Sequence, residues 1–257
     1  MSPLLDAALA AARAAGEIIR EHWQQPRAVQ HKGRIDLITK TDAAVEAHLR
    51  ECLDALLPDV GFMGEESAHS LIPEGDCWIV DPLDGTTNFV HGIPFAAVSI
   101  ALWQEGTTRL GIVNIPMLDE CFYAERGRGA YCNGRSLQVS NIVRCEQSLV
   151  ATGFPYDVDA QKDRILRWLG AVLPQCQGVR RCGAASADLA YVAAGRYEAF
   201  YETGLKPWDM AAGWLLVEEA GGRVTNILGE PLRFGDAILA SNGHVHQEMV
   251  DLLKAFL

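Results

Sequence analysis

Two aspartates three positions apart, Asp81 and Asp84, end an apolar run and precede a glycine and two threonines in "WIVDPLDGTTNF", residues 78–89. Two carboxylates about 4 Å apart repel by about 1 kcal/mol in water and about 4 kcal/mol at an effective dielectric of 20. Either one takes up a proton or a cation joins them. Hard oxygen donors in a chain without paired cysteines favour Mg²⁺ over zinc. Three further stretches bring acids to the ends of strands or the starts of helices. "GFMGEES" delivers Glu65 and Glu66, "ITKTD" delivers Asp42, and "GLKPWDM" delivers Asp209. Each has an ordinary structural reading alone, as a solvated loop, an N-cap or an acid at a helix N-terminus. Their combination points to a site.

The elements that must hold these acids follow from periodicity. "CWIV" reads as a buried strand that stops at Asp81, because Pro82 cannot donate to a continuing ladder. Residues three apart on a strand point to opposite faces, so a turn after Asp81 is needed to bring Asp84 to the same spot. Leu5, Leu9, Ala12, Ile19 and Trp23 recur at helical spacing in a first helix. A second helix is expected over about 42–57 and ends at Pro58. Between them, two short extended pieces flank a polar turn at 32–34. "VGFMG", "DCWIVD", "FAAVSIALW", "RLGIVNIP" and "ECFYAE" are strand-like, with a hairpin at "QEGTT". "RGRGAYCNG" reads as a loop, and its glycines do not match a dinucleotide fingerprint. After residue 147, strands ("SLVATG", "GVRRCG", "YEAFYE", "AILASN") alternate with helices ("QKDRILRWLGAVL", "ASADLAYVAAG", "PWDMAAGWLLVEEAGG" and "HVHQEMVDLLKAFL"). One unit over 1–257 is expected, with subdomains of about 1–145 and 146–257.

Composition removes several function classes. The 33 Asp+Glu against 22 Lys+Arg give a formal charge of −11, which disfavours nucleic acid and anionic lipid as main ligands. The seven cysteines contain no C-x-x-C, so reduced, mostly buried thiols are expected rather than zinc or disulfides. The N-terminal segment lacks a basic region before its apolar residues, unlike a signal peptide. No run of about 18 apolar residues occurs. A cytoplasmic protein is expected. No G-x-S-x-G is present for a serine hydrolase. The spacing and position of Asp81 and Asp84 also fit poorly with haloacid dehalogenase-type phosphatases, whose acids stand two apart near the first strand.

"GEES" (64–67), "WIVDPLDGTTNFVHGIPFAAVSIAL" (78–102) and "WDMAAGWLLVEEAGG" (208–222) resemble the inositol monophosphatase family, within the lithium-sensitive, magnesium-dependent phosphatase superfamily. "DLITKTD" (36–42) and "YCNGRSLQVS" (131–140) support the resemblance, which runs along nearly the whole chain. It implies a five-layered αβαβα sandwich of the inositol monophosphatase and fructose-1,6-bisphosphatase type, and hydrolysis of a phosphate monoester without a covalent phosphoenzyme. It implies two or three Mg²⁺ ions on Glu65, Asp81, the carbonyl of Leu83, Asp84 and Asp209. Thr86, with Asp42 behind it, would hold the attacking water, and Glu65 would join them in catalysis. Gly85 and Thr86 would present N–H groups to the phosphate. Asp84, Ala185, Glu202 and Asp209 would contact the polyol.

Relatives acting on phosphoadenosine phosphate or histidinol phosphate commonly carry D-G-T-K, whereas Thr87 here is followed by "NF", the inositol monophosphatase-like form. Myo-inositol monophosphate is therefore the expected substrate, with a broader sugar phosphatase of the fructose-1,6-bisphosphatase type as the rival. A regulatory protein that keeps the fold and acts on a protein partner, alongside the transcription machinery, is the rival from another class. "GAAS" (183–186) departs from the family's G-[ST]-A-A and lacks a hydroxyl at Ala184. Arg180 and Arg181 could reach a substrate or a partner subunit. His244 and His246 read as surface residues. A homodimer, lithium inhibition and closure of the loop at 32–36 over the metals are further expectations of the resemblance.

Overall fold

The computed structural model describes residues 2–25, 29–31 and 37–255. Five layers stack in order. The first holds α1 (Pro3–Trp23) and α2 (Lys40–Leu56). Ahead of α2, β1 (Val29–His31) and β2 (Leu37–Thr39) pair antiparallel. The second layer is a seven-stranded sheet in chain order: β3 (Gly61–Gly64), β4 (Cys77–Asp84), β5 (Ala97–Gln104), β6 (Thr107–Ile115), β7 (Glu120–Glu125), β8 (Ala130–Cys132) and β9 (Arg135–Ser136). Only β3 and β4 are parallel in it. A short helix, α3 (Thr86–His91), follows β4. The second sheet comprises β10 (Leu149–Thr152), β11 (Gly178–Arg180), β12 (Ala199–Glu202), β13 (Arg223–Asn226) and β14 (Ile238–Ser241). Its spatial order is β11-β10-β12-β14-β13. Helices α5 (Ala185–Ala193) and α6 (Pro207–Glu219) fill the layer between the sheets. Helices α4 (Val158–Val172) and α7 (His246–Lys254) cover the far face. This is the αβαβα sandwich expected of the sequence.

Alternation along β4 shows how the layers are bonded. Trp78 and Val80 pack with α1 and α2, whereas Cys77 and Ile79 pack with the middle helices. Both faces of this sheet are covered, which is why the strand reads as a continuous apolar run. Helix α6 is apolar nearly all round, with Trp208, Met210, Ala211, Leu215, Leu216 and Val217 buried. A helix of that kind needs partners on every side, and two sheets and α5 supply them.

Several elements differ from the sequence reading. Helix α2 begins at Lys40 with Thr39 as its N-cap, so Asp42 stands at the third helical position of a capping box. "RGRGAYCNG" is not simply a loop: Asn133 and Gly134, with φ of 49° and 83°, turn β8 into β9. That Asn-Gly pair is a strong hairpin signal which the surrounding glycines outweighed. The β5–β6 hairpin turns at Glu105 and Gly106 through the same left-handed region. Strand β13, four residues behind Gly221 and Gly222, was too short to read. All seven cysteines are free, three buried and four half-buried. No helix among the described residues is long and apolar enough to cross a membrane.

His246 is a correction of another kind. It is not on the surface but buried, between Thr225 Oγ1 (2.8 Å from Nε2) and Ser241 Oγ (2.7 Å from Nδ1). The Thr225 hydroxyl donates to the Asn226 carbonyl, so it accepts from Nε2–H, and Ser241 donates to Nδ1. The ring is thus neutral, and burial, helped by Arg223, pushes its pKa down to about 4. The unfolded chain takes up this proton near pH 6.5 and the folded chain only near 4. The contribution is therefore complete above about 6.5 and is lost as pH falls toward 4. Between pH 7.5 and 5, wild type should lose about 2 kcal/mol of its advantage over His246→Asn in urea unfolding. A difference that stays constant over that range would show that the imidazole titrates freely.

Candidate active site

The two opening aspartates meet through a bulge rather than a turn. Asp81 pairs with Ser99 and Asp84 with Ala97, three steps on β4 against two on β5. One extra residue inverts the side-chain alternation. Leu83 consequently packs on the outer face with Trp78 and Val80, and Asp84 returns to the face of Asp81. Strand β4 therefore does not stop at Asp81. Pro82 lies in the bulge, where no ladder donor is needed. Asp81 Oδ1 accepts the Leu83 N–H at 2.9 Å and so fastens the bulge by its own carboxylate.

Immediately after Asp84 the chain reverses at Gly85, whose φ is 90°. A Cβ there would stand 3.0 Å from the Phe95 carbonyl oxygen, so both the backbone conformation and the space call for glycine. Thr86 starts α3 with its hydroxyl 3.0 Å from the Leu83 carbonyl and 3.1 Å from Asp42 Oδ1. Asp42 is held in turn by the Thr39 N–H (2.8 Å) and hydroxyl (2.6 Å) at Oδ2. Burial raises its pKa against these hydrogen bonds. Glu65 follows β3, whose last residue, Gly64, accommodates a neighbouring acid: a Cβ there would lie 2.4 Å from Glu46 Oε2. The Glu65 N–H donates to the Val80 carbonyl, tying this turn to β4. Asp209 stands in the first turn of α6, where Oδ2 accepts the Lys206 N–H at 2.6 Å.

These residues share a cleft of about 310 Å³, lined by Glu65, Asp84, Gly85, Thr86, Ala185, Glu202 and Asp209 among others. Asp81 and the Leu83 backbone lie buried beneath it, and Asp42 behind Thr86. Burial drives the Asp81 carboxyl well above the usual range, and repulsion from Glu65, Asp84 and Asp209 adds to it. Burial lifts Asp84 to about 6 even though Ser186 holds it down, and burial with Asp84 raises Asp209. Among the described residues no three His, Cys, Asp or Glu side chains already close on one point as a finished metal cage. The donor set nevertheless fits a hard divalent cation: carboxylates plus a backbone carbonyl, mutually repelling and buried, take either protons or a metal.

The far wall contains groups that sequence reading passed over. Asp188 is buried in it, and its Oδ1 has no hydrogen-bond partner among the described residues. It stands three residues after Ala185 on α5, so helical spacing from a residue already singled out would have found it. Burial and then Asp84 raise its pKa; burial and then Asp188 raise that of Glu202. Ser186 donates to Asp84 through both its N–H and its hydroxyl. Residues 153–156 and Lys206 complete the wall. Arg181, over the Phe154 ring at 5.3 Å, joins it, whereas Arg180 does not line the cleft. The loop at 32–36, expected to close over the acids, lies outside the described residues.

Comparison with known proteins agrees with this fold. The model of the inositol monophosphatase family matches residues 1–255. A Pseudomonas aeruginosa protein named Nus factor SuhB is 46% identical over 238 residues, covering 89% of this chain and 87% of the relative. The inositol-1-monophosphatase of Synechocystis sp. is 40% identical over 254 residues, 98% of this chain and 88% of its own. The solved structure of the extragenic suppressor protein suhB from Bartonella henselae superposes with a TM-score of 0.94, at 40% identity and with both chains covered completely. The fold is thus shared along the whole chain, which belongs to the inositol monophosphatase family.

Proposed function

We propose that this protein hydrolyses phosphate monoesters of polyols, with a myo-inositol monophosphate as preferred substrate and Mg²⁺ as the metal. The observation that carries the reading is the convergence of buried Asp81 and Asp84 with half-buried Asp209, repelling one another, beside a cleft with carboxyls on its far wall. Glu65, Asp81, the Leu83 carbonyl, Asp84 and Asp209 would hold two or three ions. Bound there, Mg²⁺ would polarise the phosphoryl group, acidify the attacking water and neutralise the leaving alkoxide.

The remaining work falls to the chain. Thr86 has one hydroxyl proton and two acceptors in reach; given to Asp42, it leaves the Leu83 carbonyl lone pair free for an ion. The Thr86 oxygen then accepts from the attacking water and orients it, with Asp42 as the group behind that relays the proton. The N–H groups of Gly85 and Thr86, at the start of α3, would face the phosphate oxygens. Glu202 and Asp84 accept hydroxyls of the leaving polyol, and Ala185 lines the cleft beside them. No side chain is required as a nucleophile.

Phosphate release from inositol 1-phosphate should depend on Mg²⁺ and fall more than about 100-fold in Asp81→Asn, since loss of an inner ligand exceeds the usual effect of an outer one. Fructose 1,6-bisphosphate, histidinol phosphate and phosphoadenosine phosphate assayed alongside decide the substrate; faster release from one of these would keep the site and overturn the polyol preference. Glu202→Ala should lower kcat/KM for inositol 1-phosphate about tenfold or more relative to that for p-nitrophenyl phosphate, which has no hydroxyls to lose. Equal losses on both esters would remove Glu202 from polyol recognition.

The name of the Pseudomonas aeruginosa relative, Nus factor SuhB, favours a second reading in which the chain acts by binding a protein partner. The two separate on Asp81→Asn: a binding role survives that substitution and hydrolysis does not. A homodimer and lithium sensitivity belong to the same proposal, open to light scattering and to LiCl titration at limiting Mg²⁺.

A further inference from the structure

The geometry points to Ser186 as a positioning residue for Asp84, a place the family's usual G-[ST]-A-A pattern gives to alanine. The inference rests on the metal-dependent reading above and deepens it. Asp84 Oδ2 accepts the Ser186 N–H at 2.7 Å and the Ser186 hydroxyl at 2.5 Å. The N–H groups of Ala185 and Ala187 also face this carboxylate. Helix α5 has no cap of its own, because Ala184 at the N-cap carries no hydroxyl. A carboxylate from the bulge of β4 therefore caps it in trans, and Ser186, fully buried, adds a side-chain donor that cannot turn away to solvent.

A carboxylate has two oxygens and can rotate between a one-oxygen and a two-oxygen grip on a metal. Tying Oδ2 with a hydroxyl and a main-chain N–H removes that freedom and presents Oδ1 alone to the cleft. A hydroxyl at position 184 would sit at the helix cap. Here it is two residues further in and directly on the metal ligand. With no hydroxyl at Ala184, the one at Ser186 orients Asp84 rather than contacting substrate.

The test is Mg²⁺ titration of the metal-stripped protein by calorimetry, for wild type, Ser186→Ala and Ser186→Thr. Ser186→Ala should bind Mg²⁺ about tenfold more weakly, the usual range for an outer-shell group. Its phosphatase kcat should recover as Mg²⁺ is raised, and its melting temperature in EDTA should stay near that of wild type. The rise in melting temperature on adding Mg²⁺ should shrink in step with the weaker affinity. Ser186→Thr keeps the donor at the cost of an extra methyl in a packed site, and should retain the wild-type metal affinity even where its melting temperature falls. Affinity within twofold of wild type in Ser186→Ala, or activity that excess Mg²⁺ does not restore, overturns the assignment to Ser186. A wild-type protein that binds no Mg²⁺ at all overturns the metal reading beneath it.

Discussion

Repulsion among buried carboxylates is the constraint on which the rest of this structure turns. Asp42, Asp81, Asp84 and Asp209 all stand where water is scarce, and each is pushed toward protonation by burial. The fold answers with main-chain N–H groups. Thr39 donates to Asp42, Leu83 to Asp81, Ser186 to Asp84 and Lys206 to Asp209. Three of these donors lie at the N-termini of α2, α5 and α6, where unpaired N–H groups carry partial positive charge. One cleft thus gathers the positive ends of three helices. Together they hold the acids in place without cancelling their charge, which leaves work for a cation.

The layering determines why those helix ends can converge. Helix α6 presses on the inner face of the first sheet, so Asp209 reaches the same side of β4 as Asp81 and Asp84. The hydroxyl of Ser99, paired with Asp81 across the ladder, donates to the Trp208 carbonyl and locks the start of α6 to β5. Helix α5 packs along α6 and carries Ala185 and Asp188 to the cleft and Ser186 to Asp84. Acids from a bulge and from two middle-layer helices are therefore fixed by the same apolar core. A site whose ligands come from rigid elements loses little on ordering when its ion or substrate arrives.

Much of this was legible in the chain because each acid follows directly on a strand end or a helix start. An apolar run that ends in "DPLDGTTN" announces a strand that must redirect two acids, and "KPWD" announces a helix start. What could not be read was how the redirection is done. A proline after Asp81 suggests termination, yet a bulge uses the same proline without breaking the ladder, and only the pairing of Asp84 with Ala97 distinguishes the two. Asp188 and Ser186 escaped because an acid and a hydroxyl within "AASADLA" look like ordinary helix residues. Their roles depend on a strand a hundred residues earlier. His246 misled in the opposite direction: a histidine near a helix start looks solvent-facing until two hydroxyls from neighbouring strands enclose it.

Charge placement also bears on what the cleft admits. Its deep far wall holds two buried carboxyls, Glu202 and Asp188, while Arg181 is exposed at the surface. A neutral hydroxyl can donate to a carboxylate, whereas a second phosphate brought there would meet like charge in a medium that screens it poorly. Under the proposed reading, a polyol carrying one phosphate suits both ends of the cleft, with its phosphate toward the metal ligands and its hydroxyls toward Glu202. A bisphosphate would have to direct its second anionic group outward, toward Arg181. The chain's formal charge of −11 extends the same argument to the whole molecule. Under the same reading, without cations at Asp81, Asp84 and Asp209 the protein would repel the ester it cleaves, so metal loading would govern substrate entry as well as hydrolysis.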